Sequence, residues 1–350
     1  MNTKYTSKSW ILRIGFFFAT LLLAATLACI EMFFRVSNQM KHEIDIIDKP
    51  AYIDSLTFDV PELTTLQGAP DNIDENDDIE VMAPVDEAIF RQPTIEEDVL
   101  NVLVIGTDVN DNDKKTGRSD VMMLLTYDRE SRTVHMTSFL RDIWICIPGR
   151  GWDRLNAAYA YGGTGMLINT INENFDLDIQ NYVLIDFDGL ISVVDILGGV
   201  EVRLTKAEVR HINEQMREDE KLPEKEGTYL LNGKQVLIHC RNRRSTNGDF
   251  DRTQRQRDIM VALFNRAKRE NSLGKLAQLI LTTAEHVKTN IKINTIIELG
   301  LEAITSDDLT IEQLRVPFDD TWNYASINGR SVIAIDLDYN RDALKNELYQ

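Results

Sequence analysis

A three-layer α/β/α sandwich with a central mixed sheet, preceded by one N-terminal transmembrane helix, is the fold class this sequence predicts. Three observations carry it. The runs VLNVLVIG (99–106) and VMMLLTYD (121–128) are almost continuously apolar, as strands buried on both faces by helices are. Strand, helix and strand follow one another closely from 182 to 204. Residues 14–30 contain no charge and follow Lys4, Lys8 and Arg13.

The apolar N-terminal stretch continues past Glu31 through Met32, Phe33 and Phe34, which brings it near the length of a spanning helix. Its basic flank predicts a single-pass protein of the cell membrane, with residues 1–13 as a cytoplasmic tail, 14–34 as the anchor and the remainder extracytoplasmic. Thr26-Leu27-Ala28-Cys29 also fits a bacterial lipoprotein cleavage site loosely, an alternative that tethers the same domain to the same membrane face. Residues 43–98 then carry seventeen acidic side chains against two basic ones, Lys49 and Arg91, which is −15 of the net −18. With Pro50, Pro61, Pro70, Pro84 and Pro93, such a stretch has little to bury against its ordering entropy. It predicts an acidic stalk over 35–95, leaving 96–350 as one domain.

Within that domain a third strand, TVHMTSFL (133–140), follows a tight turn at DRES (128–131). Residues 157–175 have helical apolar spacing after their glycines. YVLIDF (182–187) reads as a strand, and 188–199 as a helix capped by Asp188 and stopped by Gly198-Gly199. VEVRL (200–204) is a strand and the charged stretch 205–228 a surface excursion. A strong helix runs from Asp251 to about Arg269 with a stripe of Ile259, Leu263 and Phe264. Helices over 275–289 and 294–304, a strand pair at LRVPF (314–318) and SVIAIDLD (331–338), and a short last helix complete the expectation. Cys146 and Cys240 stand at no metal spacing, and a disulfide between them is left open.

Chemistry concentrates at strand ends. Asp108 leaves the first strand and Asp120 opens the second; carboxylates from neighbouring strand ends can share a hard cation with phosphate oxygens. Arg141 follows the third strand and emerges at the same edge if the strands are neighbours. Arg252, Arg255, Gln256 and Ile259 fall on one helix face, behind the glycine-led NGDFD. Arginines beside carboxylates in so acidic a chain point to one defined anion, and a pyrophosphate with a divalent metal suits them. Other classes fit poorly. The charge argues against nucleic acid, GGTG (162–165) lacks the P-loop lysine, no GxSxG is present, and the 108–119 loop has Asp113 where an EF-hand needs glycine and Ser119 where it needs glutamate.

In order, NVLVIGTD, GRSDVMMLLTYD, MTSFLRDIWICIPG, DRLNAAYAYGG, VDILGGVEV, LNGKQVLIHCRNR and GDFDRTQRQRDIM resemble the signature series of the LytR-CpsA-Psr family. The resemblance implies a cell-envelope phosphotransferase that moves a glycopolymer, such as teichoic acid or capsule polysaccharide, from a polyprenyl pyrophosphate carrier to a wall hydroxyl, usually on peptidoglycan. It implies Mg²⁺, or Mn²⁺ in its place, held by Asp108 and Asp120. Arg118, Arg141, Arg241, Arg243, Arg252 and Gln256 would grip the pyrophosphate, and Asp249 would take the acidic position three before Arg252. Either Asp108 or Asp249 would accept the acceptor's proton. The family also buries the lipid tail in an apolar cleft. Leu140 and Arg154 depart from the usual proline and lysine, and His239 and Cys240 are unusual neighbours for Arg241. A pyrophosphatase using water in the same site, and a non-enzymatic envelope regulator that binds the lipid, are the alternatives.

Overall fold

The computed structural model describes residues 31–54, 56–62, 64–65, 88–107, 119–244, 248–327 and 329–349. The expected anchor over 14–30 and the lipoprotein site at Cys29 lie outside them. Among the described residues no helix is long and apolar enough to cross a membrane.

Among the described residues, five elements precede the domain's first long strand. Helix α1 (31–40) is followed by β1 (Asp45–Ile47), α2 (Ala51–Asp54), β2 (Thr64–Thr65) and β3 (Ala88–Phe90). The stretch read as a stalk is therefore partly built into the domain. β1 pairs in parallel with β3, and Val36, Met40, Ile44, Ile53, Ile89 and Phe90 are buried. Acidic side chains dominate the count here, but these six apolar ones face inward, whereas Ile47, Leu56, Phe58 and Val60 stay exposed.

The central sheet begins with β4 (Val99–Thr107), β5 (Ser119–Asp128) and β6 (Thr133–Phe139), which form an antiparallel meander. The hairpin β7 (Trp144–Ile147) and β8 (Gly151–Arg154) leads into α3 (Leu155–Phe175). Then come β9 (Asn181–Asp186), α4 (Phe187–Ile196) and β10 (Val200–Leu204). α5 (Lys206–Asn213), β11 (Gly227–Leu231), α6 (Gly233–Cys240) and α7 (Asp249–Glu270) follow, and β11 pairs with β10. The chain continues with α8 (Leu273–Thr283), β12 (Val287–Thr289), α9 (Ile293–Thr305), β13 (Thr310–Val316), β14 (Trp322–Ile327), β15 (Arg330–Ile335) and α10 (Leu337–Leu348).

The mixed six-stranded sheet runs β12-β9-β4-β5-β6-β13. Because β9 is parallel to β4 while β5 is antiparallel to both β4 and β6, the end of β4, the start of β5, the end of β6 and the end of β9 share one edge. Alternation assigns the faces. Leu103, Ile105, Met122 and Leu124 pack with Leu167, Ile168 and Ile171 of α3, whereas Val104, Val121 and Met123 point to the side of α4, α6 and α7. A second apolar cluster joins α4, α5, α6 and α7 to β10 and β11.

The helical spacing read after the glycines is borne out: within α3 the backbone leaves helical values at Gly162 and at Gly163, where φ is +62°, and regular helix follows them to Phe175. Two local expectations are corrected. α4 is capped by Asp186, whose side chain accepts from the Gly189 N–H, so the helix starts earlier than an Asp188 cap allows. The LRVPF and SVIAIDLD strands do not pair: β13 joins β6 in parallel, and β15 pairs with β14, a strand that the sequence reading lacked.

Asn169 of α3 ties β3 down: its Nδ2 donates to the Ala88 carbonyl at 2.8 Å and its Oδ1 accepts from the Phe90 N–H at 2.7 Å. Asn169→Ala leaves both backbone groups without their partner and is expected to cost about 2 kcal/mol in urea unfolding, with faster hydrogen exchange at Phe90. An unchanged midpoint and unchanged exchange would show that β3 is held by other contacts.

Candidate functional site

The shared sheet edge gathers charge. Ser119 and Asp120 open β5, and the chain leaves β6 as Leu140-Arg141-Asp142. The register shifts between Gly106 and Thr107 where β4 meets the start of β5; a Cβ on Gly106 would stand 2.9 Å from the Cβ of Val121, so only glycine lets the strands close there. Across this edge Gly248, with φ +53°, is the N-cap of α7, and Asp249 and Asp251 stand in the first turn, where the helix dipole favours them. Its next turn delivers Arg252 and Gln256.

Arg141 is the hub. Its Nη1 lies 3.3 Å from Asp120 Oδ1, and its Nε lies 3.5 Å from both Asp142 Oδ2 and Asp249 Oδ1. Arg252, only 2% exposed, places Nη2 at 2.8 Å from Asp249 Oδ1 and Nη1 at 3.8 Å from Asp120 Oδ1. Arg243 Nη2 reaches Asp120 at 3.6 Å, and Arg154 Nε approaches Asp142 at 3.7 Å while its guanidinium also donates to the Ser331 carbonyl. Most of these pairs are longer than the ~2.7–2.9 Å of a tight charge-assisted bond. The 2.8 Å Arg252 contact is close but lies outside hydrogen-bonding alignment. Among the described residues, Asp249 Oδ2 and the Nε atoms of Arg141 and Arg252 find no hydrogen-bond partner although they are buried.

The titration of these groups follows from burial and like charges. Burial lowers the Arg141 guanidinium, but Asp142, Asp249 and Asp120 together outweigh it and hold the group above its ordinary value. Burial also lowers Arg252, with Arg141 adding to that effect against Asp249, and it lowers Arg243, with Arg252 adding. Asp142 is raised by burial and by Asp249 against the pull of Arg141 and Arg154. Crowded guanidinium groups and orphaned buried atoms mark a place where an anion relieves both.

Beside the cluster lies a cleft of about 600 Å³. Asp120, Arg241, Arg243, Arg252 and Gln256 line it beside the cluster, Asp186, His211, Gln215, Lys234 and Arg244 add further polar lining, and Val104, Met123, Leu190, Leu237, Ile259 and Met260 are among its apolar walls. Gly106 and Val121 contribute too, which is why the bare glycine sits where the sheet forms the cleft floor. Arg241 caps the C-terminal end of α6 and stacks on Phe187, 4.8 Å from the ring centroid.

The structure thus brings together Asp120, Arg141, Arg243, Arg252, Asp249, Arg241 and Gln256. Asp108 and Arg118 lie outside the described residues. Arg255 leaves the face it was expected to share: it lies 3.6 Å from Glu208 and donates to the Asn242 carbonyl. Sequence reasoning missed Asp142 and Arg154 as members of the cluster, although two adjacent charges directly after a buried strand were a usable signal. The apolar cleft that the resemblance implied could not be located from the sequence, because its lining comes from seven elements, β4, β5, β9, α4, α5, α6 and α7. Cys146 and Cys240 are free thiols, and burial pushes Cys240 up to about 12.

As to metal, no group of three or more His, Cys, Asp or Glu side chains among the described residues gathers to hold one. Mg²⁺ needs less from a protein, one or two carboxylates completed by phosphate oxygens and water. Asp120 fits that role, because its three arginine contacts are all 3.3 Å or longer.

A profile of the LytR_cpsA_psr family matches residues 64–346. Regulatory protein MsrR of Staphylococcus aureus is 29% identical over 262 residues, 74% of this chain and 77% of its own. Polyisoprenyl-teichoic acid–peptidoglycan teichoic acid transferase TagT of Bacillus subtilis is 30% identical over 223 residues, 61% of this chain and 68% of its own. A solved structure of the Bacillus subtilis protein YwtF (TagT) with bound octaprenyl pyrophosphate lipid has a TM-score of 0.56 at 26% identity, covering 72% of this chain and 91% of that one.

His239, next to this site, gives a pH test. Burial, chiefly, lowers it to about 4, so it folds neutral while the unfolded chain still takes up a proton near 6.5. Its contribution is intact above pH 6.5 and is lost as pH falls toward 4. Wild type is expected to lose about 3 kcal/mol more than His239→Gln between pH 7 and pH 4 in urea unfolding. Parallel pH profiles would show that His239 titrates normally.

Proposed function

The chain belongs to the LytR_cpsA_psr family, and from that premise we propose that it is a membrane-anchored glycopolymer phosphotransferase of the cell envelope. In this reading a three-layer α/β/α domain over 96–350 works outside the membrane behind one transmembrane helix at 14–34. Its donor is a glycopolymer on a polyprenyl pyrophosphate, its acceptor a peptidoglycan hydroxyl, and its second product polyprenyl phosphate.

The observation that carries the proposal is the junction of the arginine–aspartate cluster with an apolar cleft of about 600 Å³. A ligand that suits both ends has an anionic head and a hydrocarbon tail. The octaprenyl pyrophosphate bound by YwtF (TagT) is such a ligand. The teichoic acid transferase activity in the name of TagT supports the reaction class.

The chemistry needs positioning and charge neutralisation more than covalent help. The acceptor hydroxyl oxygen attacks the phosphorus that carries the glycopolymer, and the bond from that phosphorus to the bridging oxygen breaks. The electron pair leaves with polyprenyl phosphate, while the hydroxyl proton passes to a carboxylate, Asp249 or Asp108. Asp249 is the described candidate for that role: its Oδ2 is buried with no hydrogen-bond partner among the described residues, which supports a carboxylate free to accept a proton. Arg141, Arg243 and Arg252 hold the pyrophosphate oxygens, and Arg241 and Gln256 guard the passage from head to tail. Asp120, with Asp108, would hold Mg²⁺ or Mn²⁺; when bound, the cation would offset charge on the phosphate oxygens. The regulatory name of MsrR favours a second reading, in which the same site binds the lipid without turning it over.

The full chain in detergent, given a lipid-linked pyrophosphate saccharide, Mg²⁺ and a peptidoglycan oligosaccharide, is expected to release polyprenyl phosphate and to join sugar to the acceptor. Arg141→Ala and Asp120→Ala should each lower kcat by about 10²–10³-fold. Release without acceptor would establish a pyrophosphatase, and tight binding without turnover would establish the regulator. Met260→Trp, which narrows the cleft, is expected to raise KM for a long-tailed donor by about tenfold and to leave a short-tailed donor unchanged; equal effects on both would place the tail elsewhere.

A further inference from the structure

α8 has an outward face that the fold does not cover. Leu273, Ala277 and Leu281, at i, i+4 and i+8, are exposed, with Leu273 at 66%. Lys275 is the helix's one charge, and it is paired with Glu270 at 2.6 Å. The other faces of α8 are used. Leu279 packs in the cluster that includes Leu190, Ile259 and Met260 of the cleft wall, Leu276 meets Gly300 of α9, and Ile280 packs with Val36 and Met40 of α1. Ile185, another cleft residue, belongs to that same α1 cluster.

Two further facts say what covers the strip. α1 exposes Met32, Phe33 and Phe34, which one charge, Glu31, separates from the uncharged run 14–30. Around α8 the charge of the chain reverses: residues 266–292 hold six basic side chains against two acidic ones, in a chain of net charge −18. An uncharged apolar strip flanked by lysine and arginine suits the boundary between anionic headgroups and acyl chains.

We propose that α8 lies on the outer face of the bilayer, its Leu273-Ala277-Leu281 strip resting in the headgroup region beside Met32, Phe33 and Phe34 of α1. The inference rests on the membrane-anchored reading above. It sets the apolar wall of the cleft one side-chain layer from the lipid, so a prenyl tail passes from membrane to cleft without a long exposure to water.

The test uses the full chain in vesicles of phosphatidylethanolamine and phosphatidylglycerol containing a phospholipid with a diazirine in its acyl chain. After irradiation, labelled residues are mapped by mass spectrometry. Label is expected on Leu273, Ala277 and Leu281 and should rise with the phosphatidylglycerol fraction. In Leu273→Glu/Leu281→Glu it should fall about tenfold on α8 and persist on residues 31–35. Label on α8 no greater than on Gly227–Leu231, whose Leu230 is also exposed, would overturn the proposal. So would label on Leu279 alone, which reports lipid inside the cleft, or links from α8 to a second copy of the chain. No donor or acceptor is present, so the result stands whether or not the transfer reaction is found.

Discussion

Everything at the shared sheet edge depends on keeping buried guanidinium and carboxylate groups in register. Arg252, Arg141, Asp142 and Asp249 are each less than a tenth exposed, and a single such charge left without its counterpart would cost several kcal/mol. Their positions come from the turn after β6 and from the first turn of α7, and that of their partner Asp120 from the start of β5. A slip of one residue in the β4–β5 pairing, or an α7 that began a turn later, would strand a charge rather than weaken a contact. The cluster therefore fixes how the second helical layer sits against the sheet. It does so incompletely, since most of its pairs are long and several polar atoms remain unpartnered. A lattice of charges that folding alone does not saturate keeps its remaining capacity for a ligand.

Much of this was legible in the sequence, for a physical reason. Strands buried on both faces leave continuous apolar runs, so β4, β5 and β6 and their ends could be read, and with them the meeting of Asp120 with Arg141. Helical period placed Arg252 and Gln256 on one face. What stayed hidden depends on contacts between distant segments. Arg255 shares that face by arithmetic, yet Glu208 and the Asn242 carbonyl draw it away. The edge strand β13 pairs with β6 and not with its neighbour in sequence. The acidic stretch after α1 was judged by its charge, although Ile44, Ile53, Ile89 and Phe90 decide where it lies.

The cleft owes its form to a division of the hydrophobic interior. One cluster packs the sheet against α3, the other joins α4 to α7 around β10 and β11, and the cleft occupies the seam between them. Its lining combines apolar side chains from the sheet and from α4, α6 and α7 with polar ones that include His211, Gln215 and Lys234, so it offers directional contacts as well as apolar ones.

The sheet also closes late. Its β6 edge is completed by β13, with Thr133 and Thr310 hydrogen-bonded 177 positions apart, and Asn101 of β4 donates to the Tyr349 hydroxyl 248 positions away. Leu344 and Leu348 fill the main core from α10. A chain emerging from its N-terminus thus cannot shut this core until its last forty residues are free, and contacts of such long range form slowly. The domain thus stays open through most of its synthesis, and a chain cut short before β13 would leave both the β6 edge and the main core unfinished.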